Sequence, residues 1–290
     1  MTSVTVKEAM WRDAGSRDAE LISVVRDIRQ QLLGVAGVSQ EDGYEGILIQ
    51  GSGRFAIESV ISSVIPRDGK LLIIINGACG KRIRDIAKQH QIASVAIELR
   101  ENTPPDPQQV RRSLADDSEI THVAMVHCET SSGILNPMHE IGAVVKDLRR
   151  TYIVDAMNSF GSIPLNVAES GIDFLVSSAK KWIKGVPDFS FVIANHAQLL
   201  ASDDTASIVW LDLVAQWKAL EDNGQFGFTP PTEVLLAFRQ ALRQLDVQTG
   251  AAGRAVRYAI NHRAQYAGEE FSRIRSHRIA EPHNYKLPVF

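Results

Sequence analysis

Gly46-Ile47-Leu48-Ile49-Gln50, then Gly51-Ser52-Gly53, then Arg54-Phe55-Ala56-Ile57-Glu58-Ser59-Val60-Ile61-Ser62-Ser63-Val64, is the stretch on which the fold turns. Its first five residues are a short apolar run stopped by two glycines around a serine, and they read as a strand. Gly53–Val64 reads as a helix, and Lys70–Ile75 (KLLIII) as a second strand ending in Asn76-Gly77. Outward from this unit the alternation continues. Lys81–His90 predicts a helix, Ala93–Leu99 a strand, Pro107–Ala115 a helix, His122–His127 (HVAMVH) a strand and His139–Arg149 a helix. Tyr152–Asp155 (YIVD), Phe174–Ser177 and Phe189–Ala194 (FSFVIA) are further strands. Strand, helix, strand at this spacing predicts an α/β fold with a mostly parallel sheet. The strands scarcely alternate between apolar and polar residues, as expected where helices cover both faces.

From about Ser207 the pattern is helical. Val234, Phe238, Ala241, Leu242 and Leu245 share one stripe, and Pro230-Pro231 before Thr232-Glu233 suits a helix start. Arg254–Arg275 reads as a charged, exposed helix, and the tail after Ser276 has no clear pattern.

At 290 residues, 44% of them hydrophobic, the chain can bury a sizeable core. A balance of 31 basic and 34 acidic residues excludes a strongly basic nucleic-acid binder and a polybasic membrane sticker. Runs such as Leu71–Ile75 fall far short of the ~20 apolar residues that cross a bilayer. The opening MTSVTVKEAMWRD contains no secretory apolar region. The two cysteines, Cys79 and Cys128, make no disulfide framework, so a reducing cytoplasm is the expected setting.

Ligands of an open parallel sheet gather at the carboxyl ends of its strands, and five segments lie there. Gln50-Gly51-Ser52-Gly53-Arg54 has the glycines, hydroxyl and helix start of a phosphate cradle, though it matches neither GxxxxGK[ST] nor a full GxGxxG. An ordinary strand-to-helix turn has the same composition. Asp155 closes its strand and could hold a pyridinium N–H, a metal or a ribose, or simply cap a turn. Lys181, in Ser177-Ser178-Ala179-Lys180-Lys181-Trp182, could be a desolvated nucleophilic amine pressed by Lys180, or half of a solvated lysine pair. His127-Cys128-Glu129-Thr130-Ser131-Ser132-Gly133 is rich in hydroxyls. Its Cys128 is either a nucleophile or a small buried thiol, and His127 has no spaced metal partner. Asn76-Gly77-Ala78-Cys79-Gly80 is the next strand-to-helix turn. Anion cradle, strand-end aspartate and later lysine together match the needs of pyridoxal phosphate.

Longer stretches carry a resemblance: TVKEAMWRD (5–13), LIQGSG (48–53), NGACG (76–80), HVAMVHCETSSGILNP (122–137), TYIVDAMNSFGSIPL (151–165), IDFLVSSAKKWIKGVPDFSFVIA (172–194) and FTPPTEVLLAFRQAL (228–242). Over roughly residues 5–260 the chain resembles the class V branch of the fold-type-I pyridoxal-phosphate aminotransferases. The resemblance implies a large coenzyme-binding domain over 1–250 and, over 251–290, a shortened, mostly helical small domain. It implies that Lys181 carries the coenzyme as a Schiff base and shuttles the proton, with Asp155 on the pyridinium nitrogen. Ser52, Gly53 and Arg54 would hold the phosphate, Cys79 would lie over the ring and Thr130 beside the ring hydroxyl. Thr229 would reach the phosphate of the partner subunit in a homodimer. The implied substrates are a small-molecule amino donor, 2-aminoethylphosphonate, and pyruvate. Other class V chemistry, namely alanine– or serine–glyoxylate transfer or phosphonate cleavage, shares these parts, as does a coenzyme-binding protein without turnover.

The chain departs from the family pattern at several positions. Lys180 stands where asparagine is usual, Asp188 where glycine is usual, and Cys79 where an aromatic stacks on the ring. Trp182 and Lys184 replace small or polar residues. A leading Pro-Gly-Pro segment, expected before Thr5, and the small-domain arginine that grips the donor's acidic group have no counterpart in these 290 residues. Coenzyme capture is therefore expected from the parts present, and substrate recognition is expected to be weakened.

Overall fold

The computed structural model describes residues 2–272. A short helix, α1 (Val4–Glu8), precedes the long helix α2 (Ala19–Val35). There follow β1 (Tyr44–Gln50), α3 (Gly53–Val64), β2 (Lys70–Ile75), α4 (Ala78–Gln89), β3 (Ala93–Glu98) and α5 (Pro107–Asp116). The central part continues with β4 (Ile120–Val126), α6 (Met138–Asp147), β5 (Thr151–Asp155), β6 (Phe174–Ser178) and β7 (Phe189–Asn195). Helices α7 (His196–Ala201), α8 (Leu213–Asp222), α9 (Thr232–Val247) and α10 (Gly250–Ser272) complete the described chain. The patternless segment after Ser276 lies outside the described residues, as does the end of the helix expected over Arg254–Arg275.

The seven strands form one sheet in the order β1-β7-β6-β5-β4-β2-β3. Pairings from β3 through β6 are parallel, and β7 runs antiparallel to both neighbours, β6 and β1. The mostly parallel α/β reading thus holds, with one reversed strand. β1 therefore points the same way as the parallel strands, although it sits at the far edge, and its carboxyl end opens on the same side of the sheet as those of β2, β4, β5 and β6. Chain reversal between β6 and β7 brings this about.

Residues of β2, β4 and β5 from Leu71 to Asp155 are nearly all buried, as the absence of apolar–polar alternation requires. Helices α2 and α9 pack together, joined by α1 through the Ser3 hydroxyl to Gln244 Oε1 at 2.9 Å. The sequence reading does not include α2, yet Leu21, Val24, Val25, Ile28 and Leu32 are buried at helical spacing. The expectation of a charged, exposed helix from Arg254 is corrected at its start: Arg254 is 2% exposed, because that face of α10 meets the protein, whereas Val256 and Ile260 are exposed.

Candidate active site

The first component is the start of α3. Gly51 has φ +89°, which glycine alone adopts freely, and a Cβ there would meet the Phe55 ring at 2.7 Å. Ser52 is the N-cap, but its hydroxyl makes no capping bond. The Ser52 hydroxyl is therefore left free to meet an anion at this helix start, while the Phe55 amide donates to the Ser52 carbonyl at 2.8 Å. Gly53 is buried, and a Cβ on it would run into the Met157 side chain. This contact joins the cradle to the turn after β5. Arg54 is exposed beside it.

Asp155 ends β5 at 3% exposure, with Oδ1 accepting from the Met157 amide at 2.9 Å. Burial pushes its carboxyl up to about 7. The Met157 bond, Arg82 and Lys181 pull it down, and the charge of Glu129 pushes it further up. A buried carboxyl so placed is ionised most readily against a cationic partner.

Lys181 lies in the tight turn between β6 and β7, where the Lys184 amide donates to its carbonyl at 3.1 Å and the Gly185 amide to that of Ala179 at 3.0 Å. Lys180 and Lys181 are both exposed. Lys181 lies near enough to lower the proton affinity of both Asp155 and Cys128. The same turn carries strained backbone: Lys184 at φ +65° and Asp188 at φ +127°, the latter at a position where the family pattern has glycine. The carbonyl of Asp188 receives the Gly51 amide at 2.9 Å, tying this turn to the cradle.

Cys79 lies at the start of α4, its Sγ 3.6 Å from Thr130 Oγ1. Thr130 also accepts from the Asn158 side-chain amide. Cys128 is 3% exposed and burial pushes its thiol up to about 12, so it is an inert thiol rather than a nucleophile. His127 is buried, and burial lowers its imidazole to about 4. No metal-binding group of His, Cys, Asp or Glu occurs among the described residues. Thr229 is exposed on a loop, and its carbonyl accepts from the Gln50 side chain, at the edge of its own chain's cradle.

Several residues that shape this region escape the reading of single motifs. Glu129 is fully buried, with its carboxylate on the amides of Cys79 (3.2 Å) and Gly80 (2.9 Å). A charged residue three positions after a buried strand is the available signal. Met157 and Asn158 follow Asp155 within three residues, and Trp182 follows Lys181. A groove of about 670 Å³ borders the cradle at Gln50 and Gly51, lined by Phe55, Trp210, Phe226 and Phe228. It contains neither Asp155 nor Lys181.

A seven-stranded sheet with one reversed strand, a bare helix start, a buried strand-end carboxylate and a nearby lysine define an aminotransferase of the fold-type-I kind. The chain belongs to the class V aminotransferase family, whose model matches residues 5–279. It is similar to the 2-aminoethylphosphonate–pyruvate transaminase of Syntrophobacter fumaroxidans, at 47% identity over 92% of this chain and 72% of that one. The corresponding transaminase of Klebsiella pneumoniae is 46% identical over 92% of this chain and 73% of its own. Among solved structures, alanine–glyoxylate aminotransferase from Nostoc sp. superposes with a TM-score of 0.87 at 22% identity, over 93% of this chain and 71% of that one. Pyridoxamine–pyruvate aminotransferase from Mesorhizobium loti gives 0.84 at 23% identity, over 93% and 68%. Both share the fold. No helix among the described residues is long and apolar enough to cross a membrane.

Proposed function

We propose that the chain is a pyridoxal-phosphate-dependent transaminase that moves the amino group of 2-aminoethylphosphonate to pyruvate, giving phosphonoacetaldehyde and L-alanine. One observation carries the chemistry: Lys181 lies within electrostatic reach of the buried Asp155, and Met157, two residues after that carboxylate, fills the space over Gly53. The coenzyme's three recognition needs therefore fall on neighbouring turns. The residues fit that group. Ser52 has a hydroxyl that makes no capping bond, and the bare Gly53 lets Met157, and with it the turn after β5, close against the helix start. When bound, the coenzyme supplies an electron sink for the carbon that bears the amino group.

Ser52, Gly53 and Arg54 bind the phosphate. Asp155 holds a proton on the ring nitrogen, and Thr130 and Cys79 bound the ring. Lys181 would hold the coenzyme covalently and, freed during turnover, would move the proton at the substrate carbon. Residues 1–250 form the coenzyme-binding domain, and 251–290 belong to the smaller one. The setting is cytoplasmic. A homodimer is supported by Phe55, Trp210 and Phe228, which are 50%, 70% and 38% exposed and adjoin the cradle and Thr229. Thr229 serves the partner's phosphate in that assembly.

The test is borohydride reduction of coenzyme-loaded protein with peptide mapping, followed by absorbance titration with 2-aminoethylphosphonate. A pyridoxyl mass is expected on Lys181, and alanine is expected from pyruvate. Lys181→Ala abolishes the adduct, whereas Lys180→Ala retains it. An adduct on Lys180 or Lys184 overturns the site, and silence toward 2-aminoethylphosphonate overturns the substrate.

A further inference from the structure

Trp182, next to Lys181, is held from several sides by described residues. Its indole N–H donates to the Asn158 carbonyl, its own carbonyl accepts from Nη1 of Arg254, and its ring meets Tyr258 edge-on with centroids 4.8 Å apart. Asn158 in turn donates to Thr130 Oγ1 and, at 3.1 Å, to the Cys128 carbonyl. Contacts thus run unbroken from α10, through the lysine turn, to the residues that follow β4.

Arg254 is the telling member of this chain. It is 2% exposed, and its described hydrogen bonds go to the Trp182 carbonyl and, at 3.4 Å, to Gln248 Oε1. No carboxylate among the described residues pairs with it, and its Nε has no partner there. Burying a guanidinium that no described carboxylate pairs opposes folding, and an aliphatic chain would fill the volume without that penalty. An aliphatic chain cannot fix a carbonyl. The carbonyl in question belongs to the residue directly after Lys181.

We propose that Arg254 and Trp182 are positioning residues that fix the direction of Lys181, so that the seating of α10 on the lysine turn sets how the amine meets the coenzyme. This rests on the assignment of Lys181 as the coenzyme-binding lysine. Support from a rigid neighbouring shell is what holds a reacting group within the narrow productive geometry.

The experiment compares coenzyme-loaded wild type, Arg254→Met, Arg254→Lys and Trp182→Phe in three readouts: melting temperature, pH titration of the coenzyme's absorbance, and kcat against KM for the amino donor. Arg254→Met is expected to shift the absorbance titration and lower kcat by up to about 10²-fold with KM little changed, as for a reacting group displaced by about 1 Å. Arg254→Lys, which restores a donor, recovers much of the loss. Trp182→Phe shifts the titration in the same direction and keeps the proposal testable if Arg254→Met does not fold. A lowered melting temperature with unchanged titration and kcat in both Arg254→Met and Trp182→Phe overturns the proposal and leaves the lysine assignment standing. Absence of a borohydride-fixed adduct on Lys181 in wild type overturns both.

Discussion

The carboxylate of Glu129 accepts directly from the amide of Gly80 at 2.9 Å, in the first turn of α4, and is fully buried there. A buried anion thus closes a helix start that faces the candidate site, while the neighbouring helix start, at Ser52, stays open for an exogenous anion. The same carboxylate raises the proton affinity of Asp155. Glu129→Ala is expected to destabilise the protein by roughly 1–3 kcal/mol, because two buried amides lose their acceptor. Glu129→Gln keeps an acceptor but removes the charge, so Asp155 then titrates at lower pH. Urea unfolding measures the first effect, and pH-dependent melting of Glu129→Gln against wild type measures the second.

Asp155 gives a stability signature of its own. The folded state holds this proton up to about pH 7, against 3.8 for the ordinary carboxyl. Between those values the folded protein binds more protons than the unfolded chain, so this residue's contribution falls as pH rises and is most unfavourable above 7. In coenzyme-free protein, Asp155→Asn should gain stability over wild type progressively from pH 4 to 7, with a constant gap beyond. Melting curves across that range provide the check, and a gap independent of pH would contradict the buried carboxyl. Coenzyme affinity should fall in the same variant.

His127 acts with the opposite sign. Burial lowers it to about 4 from 6.5, and its Nδ1 has no partner among the described residues. The unfolded chain therefore takes up a proton that the folded protein refuses, and stability is lost as pH falls from 6.5 toward 4. His122, also lowered to about 4, contributes a parallel loss. His127→Leu should flatten part of the acid arm of a melting-temperature profile and leave the arm above pH 7 unchanged.

Asp188 sits at φ +127°, a backbone region that side chains rarely adopt. Such strain amounts to about 1–3 kcal/mol. Asp188→Gly should stabilise the protein by ~1 kcal/mol, which raises the melting temperature by a few degrees. An unchanged or lowered melting temperature would show the strain to be absent.

Strand and helix positions were largely legible in the sequence because the strands are continuous apolar runs separated by glycine turns. Gly53–Val64 and Lys70–Ile75 agree with α3 and β2 residue for residue. The cradle, Asp155 and Lys181 were visible as chemistry at strand ends. The reversal of β7 was not, because a buried strand has the same composition in either direction. Nor were the roles of Glu129 and Asn158 in the site, which depend on bonds to residues 50 and 28 positions away. Arg254 looked solvent-facing because arginine usually is. Only the packing of α10 on the lysine turn removes it from water.

The edge position of β1 has a consequence for biosynthesis. Among the described residues its strand partner is β7 alone, with Tyr44 opposite Asn195 and Gln50 opposite Phe189. A ribosome must therefore release almost the whole sheet before the first strand can dock, and pairings so distant along the chain close slowly. The Gly51–Gly53 turn hangs from that strand, so a nascent chain that ends short of Phe189 has every other parallel strand in hand while this turn still lacks its place at the sheet edge.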